Sequence, residues 1–112
     1  MAEVAIEKRF DVAFASAYGR SAKPNEIEMC RRHFQRSLSR HREDMLKPVA
    51  LPTHVRRGMI EEFTGEMVYW DEELPLADYQ RDTMPWEVTP DIRALADVCL
   101  VILNSNEFMY VR

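Results

Sequence analysis

Six consecutive apolar residues, Val98-Cys99-Leu100-Val101-Ile102-Leu103, constrain this chain more than any other feature. They close a segment with a strong helix start: Thr89 offers an N-cap hydroxyl, Pro90 takes the first helical position, and Asp91 places an acid in the positive first turn. Ile92, Leu95, Ala96, Cys99, Ile102 and Leu103 recur at helical spacing and form one stripe. Val98, Leu100 and Val101 fill the other faces, so the second half of this helix is apolar all round and requires burial on every side. The apolar run is far short of the roughly 20 residues needed to cross a bilayer, so its cover is expected to be protein. Two short helices and a hairpin supply little cover. The helix is therefore expected to pack against a missing portion of a parent protein or against a second copy.

The rest of the chain divides readily. From Glu3 to Tyr18, Ile6, Phe10, Ala13, Phe14 and Ala17 mark one helix face, and Gly19 is the expected left-handed stop. A second helix is predicted to start with Asn25 as N-cap and Glu28 completing a capping box, with Ile27, Cys30, Phe34, Leu38, His41 and Met45 as its inner stripe. The short link between the two predicts an αα-hairpin. Pro48 and Pro52 end helical order. Between His54 and Asp71 the strand-favouring Val55, Met59, Ile60, Phe63, Met67, Val68, Tyr69 and Trp70 flank Thr64-Gly65, which predicts a β-hairpin with a two-residue turn. Asp71 to Pro90 reads as a long acidic surface loop. Asn104 is the expected left-handed cap of the last helix, and Ser105-Asn106-Glu107 a turn returning Phe108, Tyr110 and Val111 to the core.

A formal charge of -4 conceals an asymmetry: Met1 to Arg57 carries twelve Lys and Arg against seven Asp and Glu, the remainder three against twelve. Mutual attraction of the two halves is favoured over separate cation and nucleic-acid sites. Arg32, Arg36 and Arg40 form a basic stripe on the second helix, flanked by Arg31 and Arg42. The stripe lacks interleaved aromatics, so a solvated or internally paired face is favoured over phosphate binding. The N-terminus has no basic start leading into an apolar run, so it does not read as a signal peptide. Either the chain stays in the cytoplasm or any export signal lies in a missing portion.

Chemistry-bearing patterns are sparse. Cys30 and His33, with His41, His54 and Cys99, lack the spacing of a zinc site, and both cysteines fall on apolar stripes. A Cys30–Cys99 disulfide would require an exported chain. Glu61, Glu62, Glu66, Asp71, Glu72 and Glu73 lie near Tyr69 and Trp70, a composition that glycoside hydrolysis uses. Nothing sets two carboxyls at a working separation, and acid-rich hairpins also serve solubility. Tyr69, Trp70 and Trp86 are the candidate sugar contacts, because aromatic faces stack on sugar rings. No catalytic, cofactor-binding or metal-ligating residue is assigned.

The last twenty residues resemble the closing segment of a family of large planctomycete-type proteins. These join a cytochrome-c-like domain to two domains of unknown function, the last numbered fifteen fifty-three. The resemblance is carried by Leu103-Asn104-Ser105-Asn106-Glu107-Phe108 with Tyr110 and Val111, and secondarily by Gly19-Arg20, Pro24, Glu26 and Glu62-Phe63-Thr64-Gly65-Glu66. It implies the end piece of a long exported protein, with the family-motif residues in a structural role. Haem attachment and export are not implied for this chain, which carries neither motif.

Together these readings predict a mainly helical α+β fold: an αα-hairpin, a β-hairpin, a long acidic loop and a buried C-terminal helix in one unit spanning 1–112, the C-terminal fragment of a larger domain. The expected role is a non-catalytic structural or interaction module of an exported or surface protein, without cofactor. The alternatives are a carbohydrate-binding or polysaccharide-acting remnant, and cation or nucleic-acid binding through the charge asymmetry.

Overall fold

The computed structural model describes residues 2–110. Among them are four helices and one two-stranded antiparallel sheet, a mainly helical α+β fold: α1 (Ala2–Tyr18), α2 (Pro24–Glu43), β1 (His54–Ile60), β2 (Met67–Glu73), α3 (Pro90–Leu103) and α4 (Asn106–Met109). The chain divides into two compact units, one formed by 1–46 with 84–112 and the other by 47–83.

In the helical unit, α1 ends as its sequence predicts. Gly19 adopts φ +69° and its N–H donates to the Ala15 carbonyl at 3.0 Å. The start of α2 lies two residues earlier than the Asn25 reading. Lys23 is the N-cap, Pro24 occupies the first helical position, and the Glu26 carboxylate accepts from the Lys23 N–H at 2.7 Å. Proline at that position wins because its φ is already helical and its missing N–H would have had no partner. At the other end α2 stops at Glu43, so Met45 falls beyond the helix and is exposed rather than part of the inner stripe.

The core consists of Phe10 and Phe14 from α1, Phe34 from α2, and Ala94, Val98 and Ile102 from α3. Phe10 meets Phe34 edge-to-face at 6.0 Å. Ile27, Cys30 and Leu38 pack around this cluster as the α2 stripe predicts. Tyr18 at the end of α1 meets Ile102 at the end of α3, while Arg93 near the start of α3 meets His41 at the end of α2. Helices α1 and α3 therefore run parallel, with α2 antiparallel to both. The His41 ring contacts Asp97 at 2.8 Å. Burial opposes ionisation of Asp97, but hydrogen bonds from His41 and Ser37 outweigh it and hold the carboxyl below its usual range.

Helix α3 buries only one face. Ile92, Leu100, Val101 and Leu103 are exposed, so the apolar run that demanded cover on every side receives it on one. Its end also departs from expectation. Asn104 has φ -94°, not left-handed, and its side-chain amide donates to the Leu100 carbonyl at 2.7 Å. Ser105 then caps a single helical turn, α4, where a non-helical turn was predicted. That turn leaves Phe108 partly exposed and Tyr110 73% exposed, so neither joins the buried core. Val111 lies outside the described residues.

The second unit is a hairpin without a core. His54 pairs with Glu73 and Ile60 with Met67, so the connection is six residues, Glu61 to Glu66, rather than the two-residue Thr64-Gly65 turn. The Glu61 carboxylate organises it by accepting from the N–H groups of Phe63 and Thr64 and from the Thr64 hydroxyl. Those bonds hold the Glu61 carboxyl below its ordinary range, the Thr64 hydroxyl contributing most. Gly65 takes φ +71°, and Phe63 at the tip is 95% exposed. Gly65→Ala is expected to weaken the hairpin by about 1 kcal/mol, because a Cβ is strained at that φ. Loss of cross-strand NOEs between Ile60 and Met67, with unchanged helical circular dichroism, would report it. Unchanged NOEs would mean that the turn does not depend on the left-handed residue.

Candidate functional site

Residues singled out at the two ends of the helical unit meet at one corner. Arg20, which follows the α1 stop, forks both ways: Nε and Nη2 donate to Glu107 at 2.8 and 2.7 Å, and Nη1 and Nη2 each donate to Glu26 at 2.9 Å. Its guanidinium also lies over the rings of Phe14 and Tyr18. The Tyr18 hydroxyl donates to the Ile102 carbonyl at 3.1 Å and lies against the Ser105 hydroxyl. Arg20, Glu26, Ser105 and Glu107 thus clip the α1–α2 link to α4. Hydrogen bonds from Arg20 hold Glu107 below its ordinary range and bring Glu26 down to about 2.

This clip makes the helical unit acid-sensitive. With Glu26 near 2 in the folded state and near 4.5 unfolded, the unfolded chain binds more protons between those values. The stabilisation is complete above about pH 4.5 and is lost as pH falls towards 2. Arg20→Met is expected to lower the melting temperature at pH 7 and flatten its fall between about pH 5 and pH 2, read by thermal circular dichroism. An unchanged acid profile would show that the clip contributes nothing to folding.

Beside the clip lies a groove between α1 and α3 with a volume of about 570 Å³. Ala13, Ala17, Leu95, Cys99 and Ile102 line it, with Val12, Leu103 and Phe108 at 65%, 44% and 41% exposure along its rims. Among the described residues the polar ones that line it are Lys8, Arg9 and Ser16, with no acid. Since α1 and α3 are parallel, Lys8 and Arg9 mark one end, while Ala17, Leu103 and Phe108 mark the other. The span from Lys8 to Ala17 is about 14 Å at the helical rise per residue. A second groove, of about 650 Å³, lies between α2 and α3 and includes Met29, Arg32, His33, Arg36 and Val101. Its wall contains Phe14, Tyr18, Glu26, Ser105 and Glu107, which are already engaged in the clip.

The sequence-level candidates distribute as follows. Of the family-motif residues, Ser105 and Glu107 join the clip, Leu103 and Phe108 line the α1–α3 groove, Asn104 ends α3, Asn106 begins α4, and Tyr110 is exposed. Tyr69 and Trp70 are neighbours on β2 and so face opposite sides of the sheet. Tyr69 packs over Gly58 and under the Arg56 guanidinium at 4.9 Å, whereas Trp70 stands opposite Arg57. Trp86 sits in a short 3₁₀ turn of the helical unit. The acids of the hairpin are also divided: Glu61 orders the turn and Glu72 pairs with Arg57.

On α2, Arg31 pairs with Glu7 and Glu28, Arg32 approaches Glu28, and Arg40 pairs with Asp97. Cys30 and Cys99 are free, half-buried thiols, both pushed up by burial. Among the described residues no three His, Cys, Asp or Glu side chains come together as a metal site, and no helix is long and apolar enough to cross a membrane. Comparison with protein-family models, curated proteins and solved structures finds no match.

The α1–α3 groove was not legible beforehand. Val12 lies off the Ile6–Phe10–Ala13–Phe14–Ala17 stripe, and a lone valine on a polar face gives no signal until α3 is laid beside it.

Proposed function

We propose that this chain is a non-catalytic interaction module that docks protein in the groove between α1 and α3. The observation that carries this reading is the exposure of Val12, Leu103 and Phe108 along a groove whose floor is apolar. Exposed apolar surface of this kind is unfavourable in water and marks contact sites on soluble domains. The clip supports the reading, because it fixes α4 and hence Phe108 at one end of the groove. The further reading, in which the module closes a larger exported or surface protein, rests on the resemblance of residues 93–112 to the planctomycete-type family.

Sedimentation velocity and an apolar fluorescent dye test the proposal on the purified chain. The expected result is dye binding or concentration-dependent association. A chain that melts cooperatively, stays monomeric at every concentration and leaves the dye dark would contradict it.

A further inference from the structure

We infer that the occupant of the α1–α3 groove is an acidic amphipathic helix from a partner protein, an inference that rests on the docking role proposed above. The groove is apolar along its floor, and among the described residues the ionisable side chains in its lining besides the Cys99 thiol are Lys8 and Arg9. Both are exposed. Of the described acids beside them on α1, Glu7 pairs with Arg31, and Asp11 accepts from the Ala22 N–H at 3.0 Å; both line a cleft with Pro24 and Ile27 rather than this groove. Glu107, beyond the other end, is held by Arg20. Among the described residues the groove lining therefore ends in two exposed cations with no acid within the trough itself.

Shape selects among anionic occupants. A trough about 14 Å long accepts some nine residues of a helix laid along it, enough for apolar anchors at i, i+3, i+4 and i+7. It is open along its length, whereas pockets for small ligands enclose most of their occupant. A helix that places Asp or Glu beside Lys8 and Arg9 gains attraction there, and a basic helix is repelled, so the two cations set both partner class and orientation. A second copy of the chain fits less well. The acid nearest its own exposed α3 face, Asp97 beside Leu100 and Val101, is already paired with Arg40 and His41.

The test is selection of displayed random sixteen-residue peptides, about four helical turns, against the full chain. The inference expects enriched peptides with a helical apolar stripe and acids at one end. Their affinity should fall about tenfold with Val12→Glu and with the Lys8→Glu/Arg9→Glu pair, and severalfold between about 50 and about 300 mM salt. Circular dichroism of each variant verifies that it is folded. Val12 and Lys8 are surface positions, and Arg9→Gln serves if the charge reversal disturbs α1. Enriched peptides that are apolar but not acidic, and indifferent to Lys8 and Arg9, would overturn the acidic partner while leaving the groove standing. Peptides that bind the Val12→Glu chain unchanged, or a selection without enrichment, would overturn the inference together with the docking role.

Discussion

Phe10→Ala is expected to destabilise the helical unit by about 3–5 kcal/mol, a large share of its total stability. Phe10 is fully buried, one of six core residues, and its ring forms the edge-to-face contact with Phe34 that joins α1 to α2. Truncating a buried phenylalanine costs about 3–5 kcal/mol, the sum of lost transfer energy and the cavity left behind. A unit of roughly 75 residues has about 4–11 kcal/mol in total on the usual per-residue scale. The loss is thus at least about a quarter of the whole stability and matches it at the lower end of that range. Phe10→Leu, which keeps most of the volume, should cost about 1–1.5 kcal/mol and leave a cooperative transition. Thermal circular dichroism at 222 nm measures both. A Phe10→Ala chain within about 1 kcal/mol of the parent would show that the core does not lie where α1, α2 and α3 meet.

The second large effect concerns the groove and has the opposite stability signature. Val12→Glu with Leu103→Glu is expected to reduce apolar-dye binding, and any self-association, by about tenfold or more. Its melting temperature should stay close to the parent's, since exposed substitutions usually shift stability by no more than about 0.5 kcal/mol. Val4→Glu with Ile92→Glu is the matched control: both positions are exposed and apolar, and neither lines the groove. If the two double variants lose binding equally, the dye reports scattered surface apolarity rather than one site. If Val12→Glu/Leu103→Glu binds as the parent does, the groove is not the docking surface.

The helical half of the fold was legible because its signals were local. The Ile6–Ala17 stripe, the glycine stop at Gly19 and the Thr89-Pro90-Asp91 start all act within a few residues, and each marks an element boundary in the structure to within one or two positions. The apolar helix receives cover on one face alone, and Leu100 and Val101 stay exposed.

The discrepancies share a cause, which is competition between local options that only geometry decides. At α2, Pro24 and Glu26 outcompeted Asn25 and Glu28 as the start. At the hairpin, three hydrogen bonds to the Glu61 carboxylate widened a turn that Thr64-Gly65 alone would have closed in two residues. At the tail, Ser105 found an N–H to cap, and α4 formed where a chain reversal was expected. The Arg20 clip and the α1–α3 groove depend on residues more than eighty positions apart, as in the contact of Arg20 with Glu107. No periodicity or spacing encodes such a pairing. What the sequence did contain was the two halves of the clip as separate short motifs, Gly19-Arg20 with Glu26 at one end and Ser105-Asn106-Glu107 at the other.

The central claim is that the helical unit presents one apolar groove as its recognition surface, and amide chemical-shift mapping tests it most directly. An isotopically labelled chain would be titrated with the apolar dye, and the perturbed amides placed on the structure. The account predicts that shifts concentrate at Lys8–Ala17 on α1 and Leu95–Phe108 on α3 and α4, and vanish in Val12→Glu/Leu103→Glu. Shifts centred on the α2–α3 groove at Met29, His33 and Val101, or spread evenly over the exposed apolar residues, would contradict it.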